Sequence, residues 1–349
     1  MKRLVTLCAC IALFSAAYAQ DTIQATILDN DSIESAKLYN SGINKFNAKN
    51  INGAIEDFSK AIELREGFHL AFMNRGSAYM ELQKYSEAVS DFNASLNDSE
   101  ACKDAYFLRG RCYMEMGSLD KAESDFGSAI HSNSKDEKAY YYRGVIKFGN
   151  ADYEGAVKDF DQAILNNKSY AYAYNDRGSA KRQLEDYDGA ISDYQKALMI
   201  DNSLVFAHNN LGSAFRKNGK LSQSIMAYSE AIKIDGKNHM SYNNRGSAKY
   251  DNEDYSGAVA DYTKAIELKK DYAYAYNNRA AAKFKLEDYK GSVDDCNKAI
   301  ELDPSYGYAY LNRGNAKELL RDEDGACADW SKAAELGIKS AQQYTGACN

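Results

Sequence analysis

A small residue returns every 34 positions along this chain, as Gly42, Gly76, Gly110, Gly144, Gly178, Gly212, Gly246, Ala280 and Gly314, with no insertion in any interval. Its surroundings return with it. Tyr174-Asn175-Asp176-Arg177-Gly178-Ser179-Ala180-Lys181 reappears as Tyr242-Asn243-Asn244-Arg245-Gly246-Ser247-Ala248-Lys249, and again as Tyr276-Asn277-Asn278-Arg279-Ala280-Ala281-Ala282-Lys283. A strict period of this length is the mark of stacked supersecondary units, each burying its apolar face against its neighbours. Length therefore says nothing here about the number of separate cores.

Within a unit the pattern is helix, tight turn, helix, tight turn. In the fifth, the spacing of Tyr174, Gly178, Ala180 and Leu184 is helical, and Glu185-Asp186-Tyr187-Asp188 interrupts it. Ala190, Tyr194, Ala197 and Leu198 then share one face of a second helix, which Asp201-Asn202-Ser203 ends with turn chemistry. No segment alternates with period two for long enough to make a strand, so the fold is all-α. The units run 35–68, 69–102, 103–136, 137–170, 171–204, 205–238, 239–272, 273–306 and 307–340. Residues 20–34 read as a lead-in segment. Residues 341–349 keep the register, with Tyr344 in the aromatic slot and Cys348 in the glycine slot, and read as a C-terminal capping helix.

These residues resemble the tetratricopeptide repeat (TPR) family, whose units carry an aromatic and then Gly in the first helix, and Ala, an aromatic and Ala in the second. The first aromatic is Phe72, Tyr106, Tyr140, Tyr174, Tyr242, Tyr276 and Tyr310, with Leu38 and His208 as departures. The second is Phe58, Phe92, Phe126, Phe160, Tyr194, Tyr228, Tyr262 and Trp330, with Cys296 as the exception. The family's closing Pro survives only as Pro304. The resemblance covers 35–340 and implies a right-handed superhelical solenoid of helix-turn-helix units whose first helices line a concave, peptide-binding face.

Comparing the copies with one another exposes a pairing. Arg75 and Asp91, Arg109 and Asp125, Arg143 and Asp159, Arg177 and Asp193, Arg245 and Asp261, Arg279 and Asp295, and Arg313 and Asp329 occur together, whereas the sixth unit has Leu211 and Ala227. Loss of both charges in one copy predicts a partly buried ion pair between the two helices. The first unit has Asp57 with Ser41, which suits an unpaired carboxylate hydrated at an exposed end.

The chain has a formal net charge of −7 and no Lys/Arg-rich block, which argues against nucleic acid as a partner. Residues 1–19 read as a signal peptide: Lys2 and Arg3, an apolar run from Leu4 to Phe14, then Ala17-Tyr18-Ala19 as a cleavage site. Export to the periplasm or the extracellular space follows, with no integral membrane segment left after cleavage. A lipoprotein would use Cys10, but Cys8 stands where a small residue is expected. An oxidising compartment permits disulfides, and Cys327 and Cys348 are the candidate pair, pinning the cap; two buried thiols are the alternative. Cys112 and Cys296 read as small core residues.

No cofactor, metal or catalytic residue is expected. His69, His131, His208 and His239 share no face, there is no phosphate loop or nucleophile elbow, and acidic turns recur in copy after copy. The chain therefore reads as a non-enzymatic scaffold whose partner is a protein or peptide. The family resemblance places Asn175, Asn209, Asn210, Asn243, Asn244, Asn277, Asn278 and Asn312 on the concave face, where amides can hold a peptide backbone. Tyr172, Phe206, Met240, Tyr274 and Tyr308 flank that row. Met73, Met80, Phe107, Leu108, Met114, Tyr141, Tyr142 and Phe148 form an apolar strip that fits either a groove or packing between units. One subtype of the resembled family, a clamp that grips C-terminal carboxylates with a Lys directly after the first-helix aromatic, is set aside, because that place holds Tyr39, Met73, Phe107, Tyr141, Asn175, Asn209, Asn243, Asn277 and Leu311. The alternative function is a structural subunit of an envelope assembly that uses the edges or ends of the solenoid.

Overall fold

A computed structural model describes residues 30–96, 103–346 and 348. The expected signal peptide, most of the lead-in segment and Cys102 lie outside the described residues. Helices follow one another in pairs: α1 (Asn30–Asn47) and α2 (Ile51–Leu64), α3 (His69–Glu81) and α4 (Tyr85–Leu96), α5 (Asp104–Glu115) and α6 (Leu119–Ser132), α7 (Glu137–Gly149) and α8 (Tyr153–Asn166). They continue as α9 (Ala171–Gln183) and α10 (Tyr187–Ile200), α11 (Val205–Lys217) and α12 (Leu221–Ile234), α13 (His239–Asp251) and α14 (Tyr255–Leu268), α15 (Ala273–Lys285) and α16 (Tyr289–Leu302), and α17 (Gly307–Leu319) and α18 (Glu323–Glu335). A 3-10 turn, Lys339–Ala341, leads into α19 (Gln342–Thr345). Among the described residues there is no strand.

Local chemistry sets the ends. Each first helix is followed by a residue in the left-handed region, with φ between 58° and 74°, at Lys49, Gln83, Gly117, Ala151, Glu185, Gly219, Glu253, Glu287 and Arg321. That conformation reverses the chain at once, although only two of the nine are glycine. Five second helices start on an aspartate: the carboxylates of Asp152, Asp186, Asp254, Asp288 and Asp322 accept the backbone N–H three residues on, at 2.9 to 3.0 Å. The recurring acidic turns are helix caps.

The periodic glycine makes room for a ring. A Cβ on Gly246 would lie 2.8 Å from Cε1 of Tyr262, and on Gly212 2.8 Å from Cε1 of Tyr228. The one unit with Ala in this slot, Ala280, has Cys296 where the others have an aromatic, and both are fully buried. Glycine is needed where a ring crosses, and once the ring shrinks to a thiol a methyl group fits.

The chain divides into two compact units, Met1–Asp125 and Phe126–Asn349. In the first, α3 touches both α1 and α5. In the second, α7, α9, α11, α13, α15 and α17 each touch the next in line, so successive first helices lie side by side.

Candidate interaction surface

The ion pairs come first because they fix how each first helix sits. Arg245 donates from Nε and Nη2 to the two oxygens of Asp261, at 2.9 and 2.6 Å, and its Nη1 reaches Ser229 on the preceding α12 at 3.1 Å. Its guanidinium also lies 5.6 Å from the ring centre of Tyr242. The same fork joins Arg75 to Asp91, Arg109 to Asp125, Arg143 to Asp159, Arg177 to Asp193, Arg279 to Asp295 and Arg313 to Asp329. The aspartates are 3 to 5% exposed. A bidentate fork with a second partner is the geometry that holds a charge in so dry a place.

Sequence comparison missed a third member. Lys147, Lys181, Lys249, Lys283 and Lys317, one helical turn after the arginine, bond the same aspartates at 2.8 to 2.9 Å. Its signal was present, since the sixth unit has Phe215 there and so loses all three charges together. The expectation for the first unit fails: Asp57 is 5% exposed and paired, with Lys45 at 2.7 Å and the Ser41 hydroxyl at 2.6 Å. Those two contacts outweigh burial and hold the Asp57 carboxyl below its ordinary range.

On the first-helix side of the second unit, the asparagines do not all face outward. Asn175, Asn243 and Asn277 are only 4, 7 and 6% exposed. Their Oδ1 atoms accept from Nδ2 of Asn210, Asn278 and Asn312, at 3.0, 3.1 and 2.8 Å. The two partners always stand 35 residues apart, one unit and one residue, because successive first helices are close enough for amides to bridge them. Tyr141 donates to Asp176 at 2.8 Å in the same register, and Asn74 to Tyr39 at 2.7 Å in the first unit. As places for a ligand, Asn175, Asn243 and Asn277 are therefore corrected: they are buried, and their Oδ1 atoms are taken by the next unit.

One junction differs. Asn209 donates to Val205 O at 3.0 Å and to the Ser241 hydroxyl at 2.8 Å, and its Oδ1 is buried without a partner. Asn244, in the slot that would have bridged to it, is half-buried, as are Asn210, Asn278 and Asn312. Besides Asn209, the half-buried members of the row are thus Asn210, Asn244, Asn278 and Asn312, of which all but Asn244 donate one N–H to the preceding unit.

Beside them runs an exposed apolar row, one residue per first helix: Tyr172, Phe206, Met240, Tyr274 and Tyr308 at 43, 38, 52, 57 and 54% exposure. Tyr172 and Phe206 stack with ring centres 5.6 Å apart, and Tyr274 leans on Tyr306 at 5.0 Å. The strip Met73, Met80, Phe107, Leu108, Met114, Tyr141, Tyr142 and Phe148 is half-buried instead. Met73, Met80 and Leu108 pack against the buried cluster of Ala88, Phe92, Ala105 and Cys112, and Tyr141 and Phe148 against that of Ala156, Phe160 and Ala180. Beneath the surface, burial pushes the hydroxyls of Tyr228, Tyr262 and Tyr306 up to about 12, so these rings stay neutral. Among the described residues no group of three His, Cys, Asp or Glu side chains is placed to hold a metal ion.

At the far end, Cys327 on α18 and Cys348 form a disulfide with Cα atoms 5.5 Å apart. Tyr344 of α19 stacks on Trp330 with centroids 5.0 Å apart. Cys112 and Cys296 are buried thiols, pushed up to about 12 by desolvation.

Models described as tetratricopeptide repeat match residues 73–137, 207–238 and 273–306, and one described as TPR repeat matches 178–219 and 246–287. Together they span more than half of the chain. The C-terminal part of a TPR repeat-containing protein from Cytophaga hutchinsonii superposes with a TM-score of 0.58 at 16% identity, covering 69% of this chain and 98% of that one. A tetratricopeptide repeat protein from Parabacteroides merdae gives 0.54 at 19% identity, covering 72% and 97%. MamA is 27% identical over 47% of this chain and 96% of its own, with a TM-score of 0.43. No curated protein matches the sequence. Repeat period, helix pairing and family match agree, and the chain belongs to the tetratricopeptide repeat family.

Proposed function

We propose that this chain is a non-enzymatic scaffold that takes an extended peptide, or an extended segment of a partner protein, along the first-helix side of its second compact unit. The observation that carries this reading is the exposed row Tyr172, Phe206, Met240, Tyr274 and Tyr308, which presents one apolar anchor per unit beside the half-buried amides of Asn210, Asn244, Asn278 and Asn312. Helices in contact lie roughly 8–10 Å apart, about the length of three residues of extended chain. A ligand with an apolar side chain at every third residue would meet the anchors in turn while its backbone met the amides. The leader read in the sequence makes export part of the same proposal.

The reading is tested by placing a photo-crosslinking residue at Met240 or Tyr274, and separately at Lys158 on a second helix, then capturing partners from the native source. Partner peptides attached at Met240 and Tyr274 and absent from Lys158 are the expected result. Capture from Lys158 alone would sink the reading. Tyr274→Ala with Tyr308→Ala should weaken binding at least tenfold.

A further inference from the structure

The sixth unit is unlike the others in a connected way. In the neighbouring copies the guanidinium spans the gap between two successive second helices: Arg177 reaches Asp161 on α8 and Asp193 on α10, and Arg245 reaches Ser229 on α12 and Asp261 on α14. Leu211 is too short to span the matching gap between α10 and α12. Phe215 and Ala227 complete an uncharged floor, with the three residues at 8, 6 and 7% exposure. His208 is turned into the chain, its Nε2 3.1 Å from Asn202 O. The gap stays open as a groove of about 740 Å³ lined chiefly by Leu198, Met199, Leu211, Phe215, Met226 and Ala227. Met199 and Met226 stand on its two banks and are 76 and 69% exposed.

We propose that this groove is a homotypic docking site, occupied by the methionines of a second copy of the chain in a two-fold contact. Charge is the first argument. In a two-fold contact the same patch meets itself, so any charge near the axis faces its own like. The slot of Met226 holds Glu56, Lys158 and Asp294 in other units, and that of Met199 holds Glu63, Lys233, Glu267, Glu301 and Glu335. Between α10 and α12 alone do both banks carry a large apolar side chain. On a chain of net charge −7 the groove is lined by a single carboxylate, Glu230, which pairs with Lys233, so a copy meets it with little repulsion.

Shape is the second argument. The patch holds both a hollow and two protruding flexible thioethers beside it, the combination a self-complementary surface requires. A cationic occupant is disfavoured because the aspartate that would receive it is Ala227, and Glu230 at the rim is already engaged by Lys233 at 3.4 Å. The contact's protruding residues, Met199 on α10 and Met226 on α12, lie on second helices, apart from the exposed row proposed to take a peptide.

Sedimentation velocity of the full chain over a concentration series is the test. A monomer–dimer equilibrium is expected, tightening as salt is added, because salt screens the net repulsion and leaves an apolar contact intact. Met226→Glu, at an exposed site, should weaken it at least tenfold with an unchanged circular dichroism spectrum. Leu211→Arg with Phe215→Lys and Ala227→Asp rebuilds the ion cluster, fills the groove and should do the same. Tyr274→Ala with Tyr308→Ala should leave the dimer untouched, which separates this contact from peptide binding. A monomer at every concentration would overturn the proposal. So would a dimer that persists in both groove variants, or a monomer whose groove takes up an apolar peptide instead.

Discussion

Replacing Arg245 by Leu gives the sharpest test of how the repeats are held together. The change removes the two bonds to Asp261 at 2.9 and 2.6 Å and leaves that carboxylate, 4% exposed, with Lys249 at 2.9 Å as its remaining counter-charge. Breaking a buried pair costs about 3–5 kcal/mol, and the surviving lysine puts this case near the lower end, about 3 kcal/mol. Adding Lys249→Phe strips the last partner and costs about 2 kcal/mol more. Adding Asp261→Ala as well should restore most of the loss, because the triple variant copies Leu211, Phe215 and Ala227, which this chain already uses. Repeat arrays do not unfold in one step, so the readout is native-state hydrogen exchange of amides in α13 and α14. The single change should speed exchange roughly 10²-fold and the triple should lie close to the parent. If the three substitutions simply add, leaving the triple the least stable, the three side chains do not act as a unit and the reasoning fails.

Three further outcomes are expected. Gly246→Ala forces a methyl group against Tyr262 at 2.8 Å and should cost about 1–3 kcal/mol in a thermal melt, whereas Gly246→Ala with Tyr262→Cys, the arrangement at Ala280 and Cys296, should avoid the clash; equal clash costs in both backgrounds would contradict the packing argument. Spectrophotometric titration should show a class of tyrosines that ionise near pH 12 rather than 10. Since burial raises Tyr228, Tyr262 and Tyr306 to about 12 in the folded chain, the stability they contribute is complete below about pH 10 and is lost as pH rises through 12. Titration of every tyrosine near pH 10 with the fold intact would exclude it. Cys348→Ser should cost about 3 kcal/mol at the C-terminal end, seen as faster exchange in α19 with α13 and α14 unchanged.

The sequence carried the architecture because a period is a long-range constraint written locally: one glycine slot repeated nine times places every helix. Joint substitution carried the Arg–Asp contact for the same reason. The lysine was legible only to someone who asked what else changed in the sixth unit, and the exchange of Gly and ring for Ala280 and Cys296 only to someone who read two exceptions as one. Asn175, Asn243 and Asn277 differ from expectation because composition cannot separate an amide facing solvent from one facing a neighbouring amide. Asn243 and Asn244 are adjacent in sequence, yet the turn of the helix buries the first against Asn278 and leaves the second half-exposed. The left-handed turn was hidden by residue type, since Glu253 and Lys49 adopt it as Gly117 does.

The amide bridges constrain how such a chain can change in length. Each bridge joins a donor to an acceptor 35 residues earlier, as Asn210 joins Asn175 and Asn312 joins Asn277. A duplication or deletion of 34 residues within 239–306, wherever its breakpoints fall, keeps each amide donor 35 residues from an asparagine. A slip of even one residue between a donor and its acceptor rotates the donor by about 100° around its helix and severs the bridge that spans it, while bridges beyond keep their spacing. A change of length by a whole unit there conserves the bridging register, and a change by any other number breaks the bridge that spans it.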